Sequence, residues 1–169
     1  HLQRSAYFSD DPEYMHYLNY ILFNKVYTWA GDYRLIDIER SEDALGGLMY
    51  TYPSFKGIEK SVDNVFLGIQ RVKLNELSPT EKLNYIVDVL VKLWHTHPFR
   101  ECNTRTMLAF INQYCSSASL SLDVKLLMDN FAYFRRSLMA SVFNDEELGK
   151  APNRTYTLDI MKNALKDNH

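Results

Sequence analysis

Residues 97–105 bring together side chains that are suited to phosphate chemistry. Asn103 and Arg105 offer hydrogen-bond donors, and an arginine can bind a phosphate through two parallel hydrogen bonds. Glu101 offers a carboxylate, which is the type of ligand that Mg²⁺ takes beside phosphate oxygens. His97 has an ordinary pKa near neutrality and could therefore accept a proton. A phosphate cradle, a metal ligand and a base within this short stretch indicate phosphoryl or nucleotidyl transfer.

Two helices are predicted to position this stretch. Residues 78–81 read Ser-Pro-Thr-Glu, a typical helix start with a Ser cap and a Glu three residues later, and apolar residues then recur at helical spacing until about His95. A second, strongly apolar helix begins close to Asn103, which could also be only its cap. The stretch therefore precedes a helix N-terminus, where unpaired N–H groups and the helix dipole favour anions.

The rest of the pattern predicts an all-α domain with one small β-hairpin flap. Asp11 and Pro12 start a helix that runs to about Asn24, and further helices are expected from residue 58 and over residues 123–130, 131–143 and 159–165. Between them, residues 35–38 and 48–52 read as two short strands around a polar loop. One domain is expected over residues 1–169, with its core at about 12–145 and a C-terminal extension over 146–169.

Residues 97–105 resemble the signature of the Fic family, written His-x-Phe-x-[Asp/Glu]-[Gly/Ala]-Asn-x-Arg. The matching positions are His97, Phe99, Glu101, Asn103 and Arg105. Residues 26–34 also resemble the segment that precedes the flap in this family, and the resemblance extends from about residue 15 to residue 143. It implies a Fic-type helical bundle.

The resemblance also implies an activity, the transfer of AMP from ATP to a hydroxyl group of a target protein with release of pyrophosphate. His97 would be the general base, Glu101 would hold Mg²⁺, and Phe99 would anchor the loop in the core. Asn103 would orient the α-phosphate and Arg105 would bind the outer phosphates. The phosphate-binding residues implied are Cys102, Asn103, Thr104 and Arg105.

The hairpin is implied to act as a flap that binds the target. Leu48, Met49 and Tyr50 would clamp an extended segment that carries the Ser, Thr or Tyr hydroxyl, because an extended peptide can add to the edge of a strand. A self-inhibiting helix or a separate antitoxin is a further implied partner. Residues 9–13 and 155–159 are the nearest matches to an inhibitory motif, and both are poor.

Two positions depart from the family pattern. Cys102 replaces the usual Gly or Ala, and Leu108 stands where some members carry a second Arg. Transfer of a phosphate, UMP or phosphocholine, or a disabled binding module, therefore remain alternatives. Cys102 could instead be a reactive thiol whose pKa is lowered by the helix N-terminus. Zinc binding by His95, His97 and the cysteines fits no common spacing.

Composition narrows the range of functions. The 169 residues are 46% hydrophobic and carry a formal net charge of -2, with a pI of about 6.2, so a nucleic-acid partner is not expected. No apolar run approaches the length of a membrane span, and residues 1–5 lack a signal-peptide pattern. Only two cysteines occur, and a reducing cytoplasm is the expected location.

Overall fold

Helical segments enclose the core in the computed structural model, which describes residues 8–168. The helices in this range are α1 (Glu13–Phe23), α2 (Ile58–Arg71), α3 (Pro79–Thr96), α4 (Asn103–Ser117), α5 (Val124–Asp129), α6 (Phe131–Val142) and α7 (Thr155–Ala164). The strands form two antiparallel pairs, β1 (Glu39–Glu42) with β2 (Leu48–Thr51) and β3 (Leu120–Leu122) with β4 (Leu165–Asp167). The predicted all-α class with a small β-hairpin is confirmed. Residues 1–5, in which no signal-peptide pattern is expected, lie outside the described range.

The helices α3 and α4 pack together at the centre of the core. Ser78 and Glu81 form the predicted capping box at the start of α3, because each side chain accepts a hydrogen bond from the other residue's backbone N–H. Trp94 of α3 and Phe110 of α4 are fully buried. Both predicted helix starts, at Pro79 and Asn103, are confirmed. No helix within residues 8–168 is both long and apolar enough to span a membrane.

The hairpin differs from the prediction in its first strand. The expected strand over residues 35–38 is wrong, since Leu35 and Ile36 form a bend with exposed side chains and β1 begins only at Glu39. The bend is fixed by Arg34, whose side chain donates to the Ile36 carbonyl and whose N–H donates to the carbonyl of Pro98. The returning strand β2 lies where the sequence predicts it.

The C-terminal segment contains a helix and a strand that pack on the rest of the structure. The helix α7 begins at Thr155, four residues before the predicted start, and packs against α3 and α6. The strand β4 follows and pairs with β3, a second two-stranded ladder that the sequence analysis missed. Asp167 of β4 forms an ion pair with Lys82 of α3 at 2.9 Å. These contacts connect residues 155–167 to the helix that carries His97 at its end.

Candidate active site

The loop of residues 97–102 joins α3 to α4 and has left-handed backbone conformations at both ends. His97 ends α3 with φ of 49°, and Cys102 precedes α4 with φ of 64°. Residues other than glycine rarely adopt this backbone conformation, because their Cβ comes close to the following carbonyl oxygen. Two such residues around one loop show that the surrounding contacts hold it in a defined shape.

His97 is buried and electrically neutral. Its Nδ1 lies 2.9 Å from the carbonyl oxygen of Trp94, which can only accept, so Nδ1 carries the proton and Nε2 keeps a lone pair. The ring stacks on Tyr52 with 3.8 Å between the centroids. Burial is the main cause that lowers the pKa of His97, to about 3; the positive charges of Arg40, Arg135 and Arg34 act in the same direction, and the hydrogen bond to the Trp94 carbonyl acts against them. The imidazole is therefore unprotonated at neutral pH, as a general base must be.

Arg34 holds the loop from behind. Its buried guanidinium donates hydrogen bonds to the carbonyls of His97 at 2.7 Å and Thr96 at 3.3 Å, at the C-terminal end of α3. It also donates to the carbonyls of Ile36 and Pro53 on either side of the hairpin. A cation is favoured at a helix C-terminus. Arg34 therefore joins the hairpin base to the end of α3, a role that the sequence analysis missed although it included Arg34 in the family-like segment 26–34.

Asn103 and Phe99 hold the middle of the loop. The Asn103 amide accepts from the Phe99 N–H at 2.9 Å and donates to the Phe99 carbonyl at 2.8 Å. The Phe99 side chain is fully buried and meets the ring of Tyr33 edge-on at 5.4 Å. Asn103 thus closes the loop through its side chain. Its predicted contact with the α-phosphate stays a prediction.

A chain of polar contacts connects the loop to α1. The Thr106 hydroxyl donates to the Cys102 carbonyl at 2.8 Å and accepts from the buried amide of Asn19 at 3.1 Å. The same Asn19 accepts from the Gly31 N–H at 2.7 Å. Nearby, the hydroxyl of Thr104 accepts from the Trp94 indole at 2.9 Å, so the Thr104 side chain faces the core. Any phosphate contact of Thr104 would therefore be made by its backbone.

A cleft of about 300 Å³ opens beside the loop. It is lined by Arg40, His97, Glu101, Cys102, Asn103, Thr104, Arg105, Phe131 and Arg135. Three guanidinium groups and one carboxylate give the lining a positive balance, which suits a polyphosphate. Arg105 is exposed and lies 6.0 Å from the centre of the Phe131 ring. The site residues predicted for base, metal and phosphate therefore line one cavity, whereas Phe99 is the buried anchor behind it.

Glu101 provides the carboxylate of this cleft. One carboxylate is sufficient to bind a Mg²⁺ ion whose other ligands are phosphate oxygens and water. Such an ion needs only one or two protein carboxylates and completes its shell with phosphate and water. Within residues 8–168, no three acidic, His or Cys side chains are grouped as an all-protein metal cage. Glu101 is half exposed and its Oε1 lies 3.2 Å from Nη2 of Arg40.

Cys102 lines the cleft and is partly buried. Burial raises the pKa of its thiol, outweighing the lowering effect of Arg105. This pKa shift is opposite in direction to the one expected for a thiol activated by the helix N-terminus. The position itself has the positive φ at which a glycine is favoured.

The flap residues point in different directions. Leu48 and Met49 are more than half exposed, at 53% and 59%. Tyr50 is half buried, and its hydroxyl lies 2.8 Å from Nε2 of His95. Leu48 and Met49 are therefore available to a partner, and target binding by all three residues stays a prediction. Neither segment considered for self-inhibition, residues 9–13 or 155–159, appears among the residues that line the cleft.

The model of the Fic/DOC family matches residues 8–115, more than half of the chain. The chain therefore belongs to the Fic/DOC family, and the resemblance found in residues 97–105 is confirmed. A protein of Sinorhizobium fredii (strain NBRC 101917 / NGR234), named probable protein adenylyltransferase y4lH, is 29% identical over 126 residues. The alignment covers 71% of this chain and 61% of that protein, so the chain spans about three fifths of the relative's length.

Solved structures share the fold at low sequence identity. The BepC protein of Bartonella tribocorum, a VirB-translocated effector with bound AMPPNP, has a TM-score of 0.72 and 20% identity, covering 95% of this chain and 76% of that one. The N-terminal Fic domain of a Bep effector from Bartonella quintana, with bound ADP, has a TM-score of 0.75 and 19% identity, covering 94% and 74%. These likenesses establish the helical fold.

Proposed function

We propose that this Fic domain transfers AMP from ATP to a hydroxyl group of a target protein. The observation that carries the proposal is the neutral His97, whose Nε2 keeps its lone pair in a cleft lined by three arginines and Glu101. The name of the Sinorhizobium relative supports adenylyl transfer, and the Bartonella domains of the same fold bind AMPPNP and ADP.

The proposed reaction is an in-line displacement at the α-phosphorus. The target hydroxyl oxygen bonds to this phosphorus while His97 Nε2 takes its proton, and the bond to the β-phosphate oxygen breaks with loss of pyrophosphate. The Trp94 carbonyl holds the proton on Nδ1 and so keeps Nε2 as the acceptor. Mg²⁺ held by Glu101 would offset negative charge on the phosphates. Most of the catalysis would come from alignment and charge stabilisation.

The N-terminus of α4 would hold the phosphates. Its first-turn N–H groups carry the positive end of the helix dipole, and Arg105 adds a guanidinium at the same end. Asn103 and Arg34 keep the loop that leads into this turn in place.

A larger, mainly apolar groove of about 630 Å³ would hold the adenosine part. It lies between the tip of the hairpin and α6, and Leu45, Leu48, Tyr133 and Phe143 are among the residues that line it. Arg135 of α6 lines the phosphate cleft, and Tyr133 lies two residues before it, so one helix borders both spaces. Aromatic and aliphatic side chains with a few polar groups are typical of such ligand pockets.

The hairpin would bind the target. Within residues 8–168, β1 and β2 pair only with each other, so the hairpin has free strand edges to which an extended segment could add. The exposed side chains of Leu48 and Met49 would then contact the target segment.

Labelled ATP tests the proposal. The protein is incubated with a cell lysate, Mg²⁺ and ATP labelled either at the α- or at the γ-phosphate, and His97→Ala is the matched control. Label that reaches protein only from the α-phosphate, and only with the parent protein, is the expected result. Label from the γ-phosphate alone would indicate phosphorylation instead. Absence of label from ATP, followed by labelling with UTP or a phosphocholine donor, would assign another group, and no transfer from any donor would indicate a binding module.

A further inference from the structure

Arg40 on β1 has an unusual set of contacts. Its Nη2 donates to Glu101 Oε1 at 3.2 Å and to the carbonyl of Arg100. Its Nε is buried and has no hydrogen-bond partner among the described residues. A buried donor without a partner costs free energy, about that of a lost hydrogen bond. Arg40 therefore carries one donor that the protein leaves unused, in the wall of the cleft.

The other cations of the cleft are placed differently. Arg135 pairs with the buried carboxylate of Glu42 at 3.2 Å, and Glu42 also accepts from the Tyr52 hydroxyl, so this arginine has a partner of its own. The helix α4 offers Arg105 to the cleft, whereas Leu108, one turn further, is buried in the core. Arg40 is thus the cation that pairs with the one carboxylate available to a metal ion.

We propose that Arg40 is a ligand of the β- and γ-phosphates and that it leaves Glu101 when Mg²⁺ and nucleotide bind. This inference rests on the proposed function. A divalent ion on Glu101 repels a guanidinium a few ångströms away, while an incoming polyphosphate attracts it. A phosphate oxygen would then give Nε its missing partner, in the charge-assisted geometry that arginine forms with phosphate. The hairpin would in this way contribute a residue that distinguishes ATP from AMP.

Calorimetric titration with ATP, ADP and AMP in the presence of Mg²⁺ tests the inference. Arg40→Ala and the closer replacement Arg40→Gln are compared with the parent protein, and Arg71→Ala, an exposed charge removal on α2, is the matched control. We expect ATP binding to weaken by about 10- to 100-fold in the Arg40 variants, the size of one lost charge-assisted contact. AMP binding should change by less than about threefold, and Arg71→Ala should bind all three nucleotides like the parent.

In the absence of metal, the same mechanism predicts that removal of the Glu101 carboxylate strengthens ATP binding, whereas removal of Arg40 weakens it. Glu101→Gln breaks the ion pair and frees Arg40, so ATP binding in EDTA should become tighter. The double variant Glu101→Gln with Arg40→Ala should lose that gain. A gain that persists in the double variant would be due to the lost negative charge of Glu101 and would contradict a role for Arg40.

Other outcomes are also decisive. If Arg40 only blocks the metal ligand, Arg40→Ala will bind Mg²⁺ and ATP more tightly, and the inference is wrong. Equal losses for ATP and AMP would show that Arg40 shapes the hairpin and does not contact the outer phosphates. A parent protein that binds no nucleotide would overturn the proposed function and the inference together. Tight, Arg40-dependent ATP binding without transfer of label would support the inference and overturn adenylyl transfer.

Discussion

The backbone at Cys102 has a φ of 64°, and this makes Cys102→Gly an informative change. A residue with Cβ pays roughly 1–2 kcal/mol in the left-handed region. Glycine removes that strain but adds about 0.5–1 kcal/mol of chain entropy in the unfolded state. The packing of the partly buried thiol is lost as well. The two backbone terms alone favour glycine by about 0.5–1 kcal/mol, and the lost thiol contacts reduce this to a net stabilisation of at most about 0.5 kcal/mol, or a Tm increase of at most about 1–2 °C for a domain of this size.

Thermal and urea unfolding measure this difference, and the chain contains a matched control. Ser119 also has a positive φ, 59°, but its side chain is exposed and it is not among the residues that line the cleft. Because Ser119→Gly removes no buried side chain, it should stabilise the protein by at least as much and leave the transfer rate unchanged. Cys102→Gly should keep or raise that rate, because glycine lets the backbone approach the phosphates. A lower Tm or a large loss of transfer in Cys102→Gly, with Ser119→Gly behaving as expected, would refute the strain argument at the loop.

Three further results are expected. Phe99→Ala should lower the free energy of unfolding by about 3–5 kcal/mol in urea titrations, because the ring is fully buried; a variant as stable as the parent would contradict its anchoring role. His97→Ala should abolish transfer of α-phosphate label while calorimetry shows ATP affinity within about threefold, since the proposed role of His97 is proton removal. The low pKa of His97 also makes the fold sensitive to acid: below pH 6.5 the unfolded chain binds a proton that the folded one does not, so stability falls as the pH decreases toward 3. Between pH 6.5 and 5 this loss is about 2 kcal/mol, and it should be absent in His97→Gln.

Local signals in the sequence were sufficient to predict much of the site. The capping box of Ser78 and Glu81 depends on residues three positions apart, and the start of α4 at Asn103 follows from a polar stretch that turns into an apolar repeat. Six of the nine residues that line the cleft lie within residues 97–105. Each of these features depends on residues that are close together in the chain, so a single sequence is sufficient to predict it.

The features that were missed depend on distant partners. Residues 35–38 have side chains that suit a strand. However, the neighbouring Arg34 side chain donates hydrogen bonds to the carbonyls of His97 and Thr96, more than sixty positions away, and this stretch forms a bend instead. The ladder of β3 and β4 pairs residues about 45 positions apart, at the end of a helix that shows no strand signal. Arg40 reaches Glu101 across 61 positions. Periodicity carries no information about such contacts, because it reports which side of an element is apolar and not what the element meets.

The same arginines have two effects on the cleft, and these effects are coupled. Arg40 and Arg135 lower the pKa of His97 in the free protein, where the imidazole is consequently a weak base. A polyphosphate bound in the cleft beside these arginines would offset their charge and raise the basicity of His97, although burial, the larger cause of the shift, would remain. A base is most effective when its pKa lies near the working pH. Nucleotide binding would therefore strengthen the base when the donor is in place, which links donor recognition to proton removal.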